Sequence, residues 1–90
     1  MSDDRCIHTF SGRTVWPLDP KPDDIDIFDI AHGLALNNRY NGHTPEPYSV
    51  AQHSVLGSHL VPEMNALEFL LHDAPETYLH DIVRPIKNSV

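Results

Sequence analysis

Ninety residues, 40% of them hydrophobic and 21% charged, suit one small globular domain with a thin core and exclude the composition of a disordered segment. A formal net charge of -7, with no block of lysine or arginine, sets aside a binder of long nucleic acid, which would carry a basic face. Single nucleotides stay within reach, because a metal and two or three local cations hold a phosphate against a negative overall field.

No apolar run approaches the roughly 20 residues of a membrane span, so no membrane role is expected. The acidic start Met1-Ser2-Asp3-Asp4-Arg5 is unlike a secretory leader. The lone Cys6 excludes an internal disulfide and a thiolate zinc finger, and it suits a reducing compartment. The expected setting is cytoplasmic.

Residues 1–22 read as an extended arm. Ile7, Thr9 and Phe10 are β-formers, Ser11-Gly12 is a turn signal, and Val15-Trp16 is a second β-prone pair. Pro17, Pro20 and Pro22 then forbid a helix, which leaves a short hairpin or an ordered arm. Asp23 and Asp24 are offered as caps of a first helix over Ile25 to Leu36. Its stripe is expected to comprise Ile27, Ile30 or Ala31, and Leu34, with Asp23 to Asp29 forming a cap and a solvated acidic face.

The segment Asn41-Gly42-His43-Thr44-Pro45 breaks that helix. A second is expected to start between Pro47 and Ser49, with Ser49 as cap and Val50, His53, Val55-Leu56-Gly57 and Leu60 on a broad face, and to close at Pro62. A third is expected from Glu63 through Ala74, with Pro75 either opening a new turn or forcing a kink. The tail from Asp81 to Val90 reads as partly extended. The fold class is all-α with a short extended or hairpin lead-in.

Seven histidines are many for this length, and position decides which of them matter. The strongest local signal is Phe69-Leu70-Leu71-His72-Asp73-Ala74, because an ionised aspartate among apolar helix residues needs a partner or a metal. His72 and Glu76 share a helical face and Asp73 lies about 100° round, so a second helix must supply further ligands. His53, on the preceding helix, is the natural donor across the Val61-Pro62-Glu63 corner. Two plainer readings stand beside this one. A histidine such as His53 commonly donates to a backbone carbonyl, and Asp73 can pair internally with an arginine such as Arg39. His8, His59 and His80 read as surface residues, His43 as an exposed turn residue, and His32 as core or a neighbour of the ligands. Arg84 and Lys87 can help hold phosphate or be solvated.

Taken together, Tyr48-Ser49-Val50-Ala51-Gln52-His53, Leu70-Leu71-His72-Asp73-Ala74-Pro75-Glu76 and Asp81-Ile82-Val83-Arg84-Pro85-Ile86-Lys87 resemble the HD-domain metal-dependent phosphohydrolases. The likeness is to the branch containing bacterial 5′-deoxynucleotidases and phage deoxynucleoside triphosphohydrolases. It extends back through Asp29-Ile30-Ala31-His32 and Asn38-Arg39-Tyr40-Asn41-Gly42-His43, and covers the chain from about residue 9 onward.

The resemblance implies a partial HD helical bundle, with residues 23–90 its N-terminal portion. It implies His53, His72 and Asp73 as metal ligands and Glu76 as the acid meeting the reactive water or leaving group. Asp81 matches an acidic residue at the substrate pocket and Arg39 the arginine that meets the phosphate, with Tyr40, Asn41, His43 and Lys87 bordering. The substrate is a nucleotide or other small phosphate, and homo-oligomers are common among such proteins. Nitrogen and oxygen donors together suit manganese, cobalt, iron, nickel or zinc better than magnesium. The family's fourth ligand is an aspartate from a later helix, whereas no acid follows Asp81 here. The chain then reads either as a fragment of a longer protein or as a shortened one, so a three-ligand enzyme and a truncated, inactive nucleotide- or metal-binding module are both expectations, with an internal ion pair as the purely structural one.

Overall fold

A computed structural model describes residues 4–80, together with Ile86 and Asn88. The expected positions Asp81, Arg84 and Lys87 lie outside the described residues.

The arm folds as a hairpin. Strand β1 (Ile7–His8) pairs antiparallel with β2 (Thr14–Val15), placing Ile7 opposite Val15 and His8 opposite Thr14. Val15 is 1% exposed, so the hairpin contributes to the core rather than hanging free. Pro22–Asp24 then form a single 3-10 turn that ends in extended backbone at Ile25.

Helix α1 (Ile27–Leu36) therefore begins two residues later than the sequence suggests, and its cap is Asp26 rather than Asp23 or Asp24. The proline-started turn consumes the two earlier acids, and the Asp26 carboxylate accepts from the amides of Phe28 and Asp29 at 2.7 and 3.3 Å. The inward stripe is also rotated. Leu34 is buried and Ile27 is exposed, while Asp29, expected on a solvated face, is 2% exposed.

The hairpin causes that burial. Asp29 accepts from the Ser11 amide and the Ser11 hydroxyl, both at 2.8 Å, and beside it Arg13 pairs with Asp26 at 3.2 Å. His32 on the same helix stacks on Phe10, ring centroids 3.9 Å apart. The arm is thus fastened to α1 by a carboxylate whose two oxygens are both occupied.

Helix α2 (Val50–Leu60) starts behind a capping box, as Ser49 invites. The Gln52 amide donates to the Ser49 hydroxyl at 3.0 Å, and the Gln52 side chain accepts from the Ser49 amide at 2.9 Å. Its inward residues are Val50 and Ser54, with His53 and Gly57 partly covered, while Val55, Leu56 and Leu60 point outward. The broad face expected from hydrophobicity is in fact a narrow one.

The expected third helix is interrupted. After a 3-10 turn at Glu63–Asn65, helix α3 covers only Ala66–Leu71, and α4 covers Glu76–Leu79. Between them the chain tightens to i→i−3 bonding, with the His72 amide on the Phe69 carbonyl at 3.2 Å and the Ala74 amide on that of Leu71 at 3.1 Å. Pro75 lacks an N–H and crowds the preceding turn, so the regular ladder cannot pass it.

Helices α1 and α2 pack together, α3 lies on α2, and α4 lies on α1. Glycine permits two of these contacts. A Cβ at Gly33 would sit 2.7 Å from the Thr77 methyl, and one at Gly57 would collide with the Phe69 ring. The described chain is largely helical with a small hairpin, and no described helix is long and apolar enough to cross a membrane.

Candidate metal centre

The α2–α3 contact sets three donors facing one another. Nε2 of His72 lies 3.0 Å from Oδ2 of Asp73, and Nε2 of His53 lies 3.8 Å from the same oxygen. One ligand atom from each residue lies within 4.8 Å of the others. Asp73 is not a mid-helix acid. It stands in the tightened turn beyond α3 and before Pro75, and its carboxylate reaches the His72 ring although neighbours in such a turn diverge by about 100° or more.

Phe69 holds this arrangement in place. Its carbonyl faces Nδ1 of His72 at 2.5 Å, and a carbonyl only accepts, so Nδ1 carries the proton. That fixes the tautomer and leaves the Nε2 lone pair aimed at Asp73, which is how ligand histidines are commonly oriented. Two acceptors at 3.0 Å repel unless a cation lies between them, and that cation is either a proton or a metal ion. The Phe69 ring packs on His72 with centroids 4.5 Å apart and on His53 at 5.6 Å.

Burial holds the His53 imidazole below its ordinary pKa, helped by the nearby Arg39 charge, opposed by Asp73 and helped slightly by His72. A neutral imidazole is the form that binds metal. The three side chains are 21%, 37% and 22% exposed, which leaves the cluster open to small molecules. Metal bonds of about 2.0–2.2 Å put neighbouring donors roughly 3 Å apart. The His72–Asp73 pair is at that spacing and His53 stands wider at 3.8 Å, and the nitrogen and oxygen donors are of a kind that suits a divalent transition metal.

The plainer expectations are corrected in two respects. Among the described residues, Asp73 pairs with the two histidines and not with Arg39, and the His53 ring meets a carboxylate rather than a main-chain carbonyl. Arg39 opens a short turn (Arg39–Gly42) in which Tyr40 and Asn41 both take left-handed conformations, φ 55° and 53°. Its guanidinium carbon lies 4.7 Å from the Tyr40 ring centre and 5.6 Å from that of Tyr48. Tyr48 meets the His53 ring edge-on, with centroids 6.5 Å apart.

Glu76 begins α4 and is half-buried, outside the three-residue cluster, and its carbonyl accepts from the Asn37 side chain at 3.2 Å. His43 is exposed in its turn, as its glycine neighbour suggests. His32 is held by Phe10 and belongs to the arm contact. Sequence reasoning missed Phe69 and Tyr48. Phe69 acts through its carbonyl, which no side-chain pattern reveals, and Tyr48 was legible only as part of a motif.

No family model matches the sequence. The chain is 47% identical over 89 residues to an uncharacterized protein of Rhodobacter capsulatus, spanning 89% of this chain and 45% of that one. It is 49% identical over 81 residues to the uncharacterized protein YfdR of Escherichia coli, spanning 90% of this chain and 46% of that one. The chain spans about half the length of the curated relatives it matches.

Proposed function

We propose that His53, His72 and Asp73 bind a divalent transition metal in a phosphohydrolase of the HD type acting on a nucleotide or similar small phosphate. The observation that carries this is His72 Nε2 facing Asp73 Oδ2 at 3.0 Å, with Nδ1 already committed to the Phe69 carbonyl. An ion bound there supplies a Lewis acid and lowers the pKa of water at the site.

The chain's own residues then have distinct tasks. Arg39 offers a planar set of N–H donors that can grip a phosphate bidentately, with Tyr40, Asn41 and His43 on the same turn bordering the substrate. Glu76 and Asp81 are the acids available to orient water or to protonate the leaving oxygen, and Lys87 adds a cation. A cytoplasmic setting, in which Cys6 stays reduced, belongs to the same proposal. So does self-association, supported by the exposed Leu60, Met64 and Leu67.

A second reading has its own support. A module that binds metal or nucleotide without turnover needs only the donors that already face one another, His53, His72 and Asp73.

Phosphate release from a panel of deoxynucleotides, with manganese or cobalt added and a His72→Ala control, separates the two. Metal-dependent release that the control abolishes supports the hydrolase. Folded, metal-loaded protein with no release leaves the binding module, and folded protein that takes up no metal removes both.

A further inference from the structure

We infer that Tyr48 is a positioning residue that holds the Arg39 guanidinium at the edge of the metal cluster with its hydrogen-bond donors free for an anion. The inference rests on the proposed anion-binding role of Arg39 and adds to it a residue outside the expected site.

Arg39 is a long side chain on an exposed turn, and such a chain ordinarily samples many rotamers. Among the described residues no carboxylate pairs with it. Its charged end lies instead between two rings, Tyr40 at 4.7 Å and Tyr48 at 5.6 Å. The difference matters chemically. A carboxylate partner would occupy N–H donors and neutralise the charge, whereas contact with ring faces restrains the group and consumes no donor.

Of the two rings, Tyr48 connects Arg39 to the ligands. Its carbonyl accepts from the Arg39 amide at 2.8 Å, and the Val50 amide donates to the Asn37 carbonyl at 2.8 Å, so the two segments run as a short antiparallel pair. The Tyr48 ring meets His53 edge-on with a 6.5 Å centroid separation and an 88° interplanar angle. One side chain therefore touches both the cation and a metal-binding helix, immediately before the Ser49 cap that fixes where that helix begins. Tyr40 follows Arg39 in the same left-handed turn and moves with it, so it cannot register Arg39 against α2.

The test compares Tyr48→Phe and Tyr48→Leu with the wild-type chain, reading inorganic phosphate binding by calorimetry with manganese present and manganese affinity separately. Tyr48→Phe should bind phosphate as the wild type does. Tyr48→Leu should weaken phosphate binding about two- to fivefold at unchanged manganese affinity, and the loss should vanish in an Arg39→Ala background.

Phosphate binding by Tyr48→Leu equal to the wild type would overturn the inference. An equal loss in both arginine backgrounds, or a parallel loss of manganese, would also overturn it, because Tyr48 would then only pack against His53. Absence of phosphate binding in the wild type removes it as well. Tyr48-dependent phosphate binding without turnover of any nucleotide would sustain the inference while the hydrolase reading fails. Where turnover is seen, Tyr48→Leu should raise KM and leave kcat unchanged.

Discussion

His72 and Asp73 are sequence neighbours whose side chains meet at 3.0 Å, Nε2 to Oδ2, in the tightened turn that follows α3. Adjacent residues diverge by about 100° in an α-helix and by roughly 120° in a 3-10 turn, so it is the side-chain torsions that bring the two groups together. The Phe69 carbonyl engages Nδ1 of His72 and so turns the imidazole to face the carboxylate with its other nitrogen.

The first expectation concerns metal and stability. A ligand that binds only the folded state stabilises it by mass action, by about 2.7 kcal/mol at a hundredfold excess over its dissociation constant. Manganese, cobalt or zinc should therefore raise the unfolding temperature, and a chelator should reverse the rise. His72→Ala and Asp73→Ala should each abolish it in scanning fluorimetry. A shift that survives both substitutions would place the metal elsewhere.

Protonation of His53 gives the second. Burial first, and then the Arg39 charge, depress its folded pKa below the ordinary 6.5, with Asp73 opposing. The sign follows from proton counting. Below about pH 6.5 the unfolded chain takes up a proton that the folded chain still refuses, so stability is full above that pH and declines as pH falls toward the folded pKa. An NMR titration of the metal-free protein should show His53 with its midpoint below 6.5, and Arg39→Leu should move that midpoint upward.

Local chemistry was legible in the sequence, and pairing across distance was not. Ser49 with Gln52 announces a capping box, and Ser11-Gly12 announces a turn, because those interactions lie within three residues. His53, His72 and Asp73 could be named because each is a ligand type in apolar surroundings. Asp29 looks solvated in the sequence because its burial comes from Ser11, 18 residues away. The sequence carries the third helix through to Ala74 because hydrophobic periodicity persists there while the hydrogen-bond pattern changes.

Gly57 supplies the third expectation. Alanine in a helix is ordinarily worth up to about 1 kcal/mol over glycine, which would favour Gly57→Ala. Here the added Cβ collides with the Phe69 ring, and overpacking of a close contact costs about 1–3 kcal/mol, so the net effect should be destabilising. Displacing Phe69 should also disturb His72, so metal affinity should fall together with stability. His59→Ala on the same helix, at an exposed position given no role, should stay within about 0.5 kcal/mol. Chemical denaturation of the two variants, with metal titrations alongside, decides between propensity and packing.

The arm contact gives the last. Burial alone would raise the Asp29 pKa, but hydrogen bonds from the Ser11 hydroxyl, the Thr9 hydroxyl and the Ser11 amide, with the Arg13 charge, bring it below the ordinary 3.8. A depressed carboxylate pKa contributes stability above the unfolded value, and that stability is lost as pH falls through the folded one. The hairpin should therefore stay fastened to α1 into mild acid and detach below about pH 4. Ser11→Ala removes the hydroxyl that holds Oδ2, so detachment should begin at higher pH. Limited proteolysis of the arm across a pH series would show this as earlier cleavage in the variant. Cleavage at the same pH in both proteins would mean that the Phe10–His32 stack and the buried Val15, rather than the carboxylate, hold the arm in place.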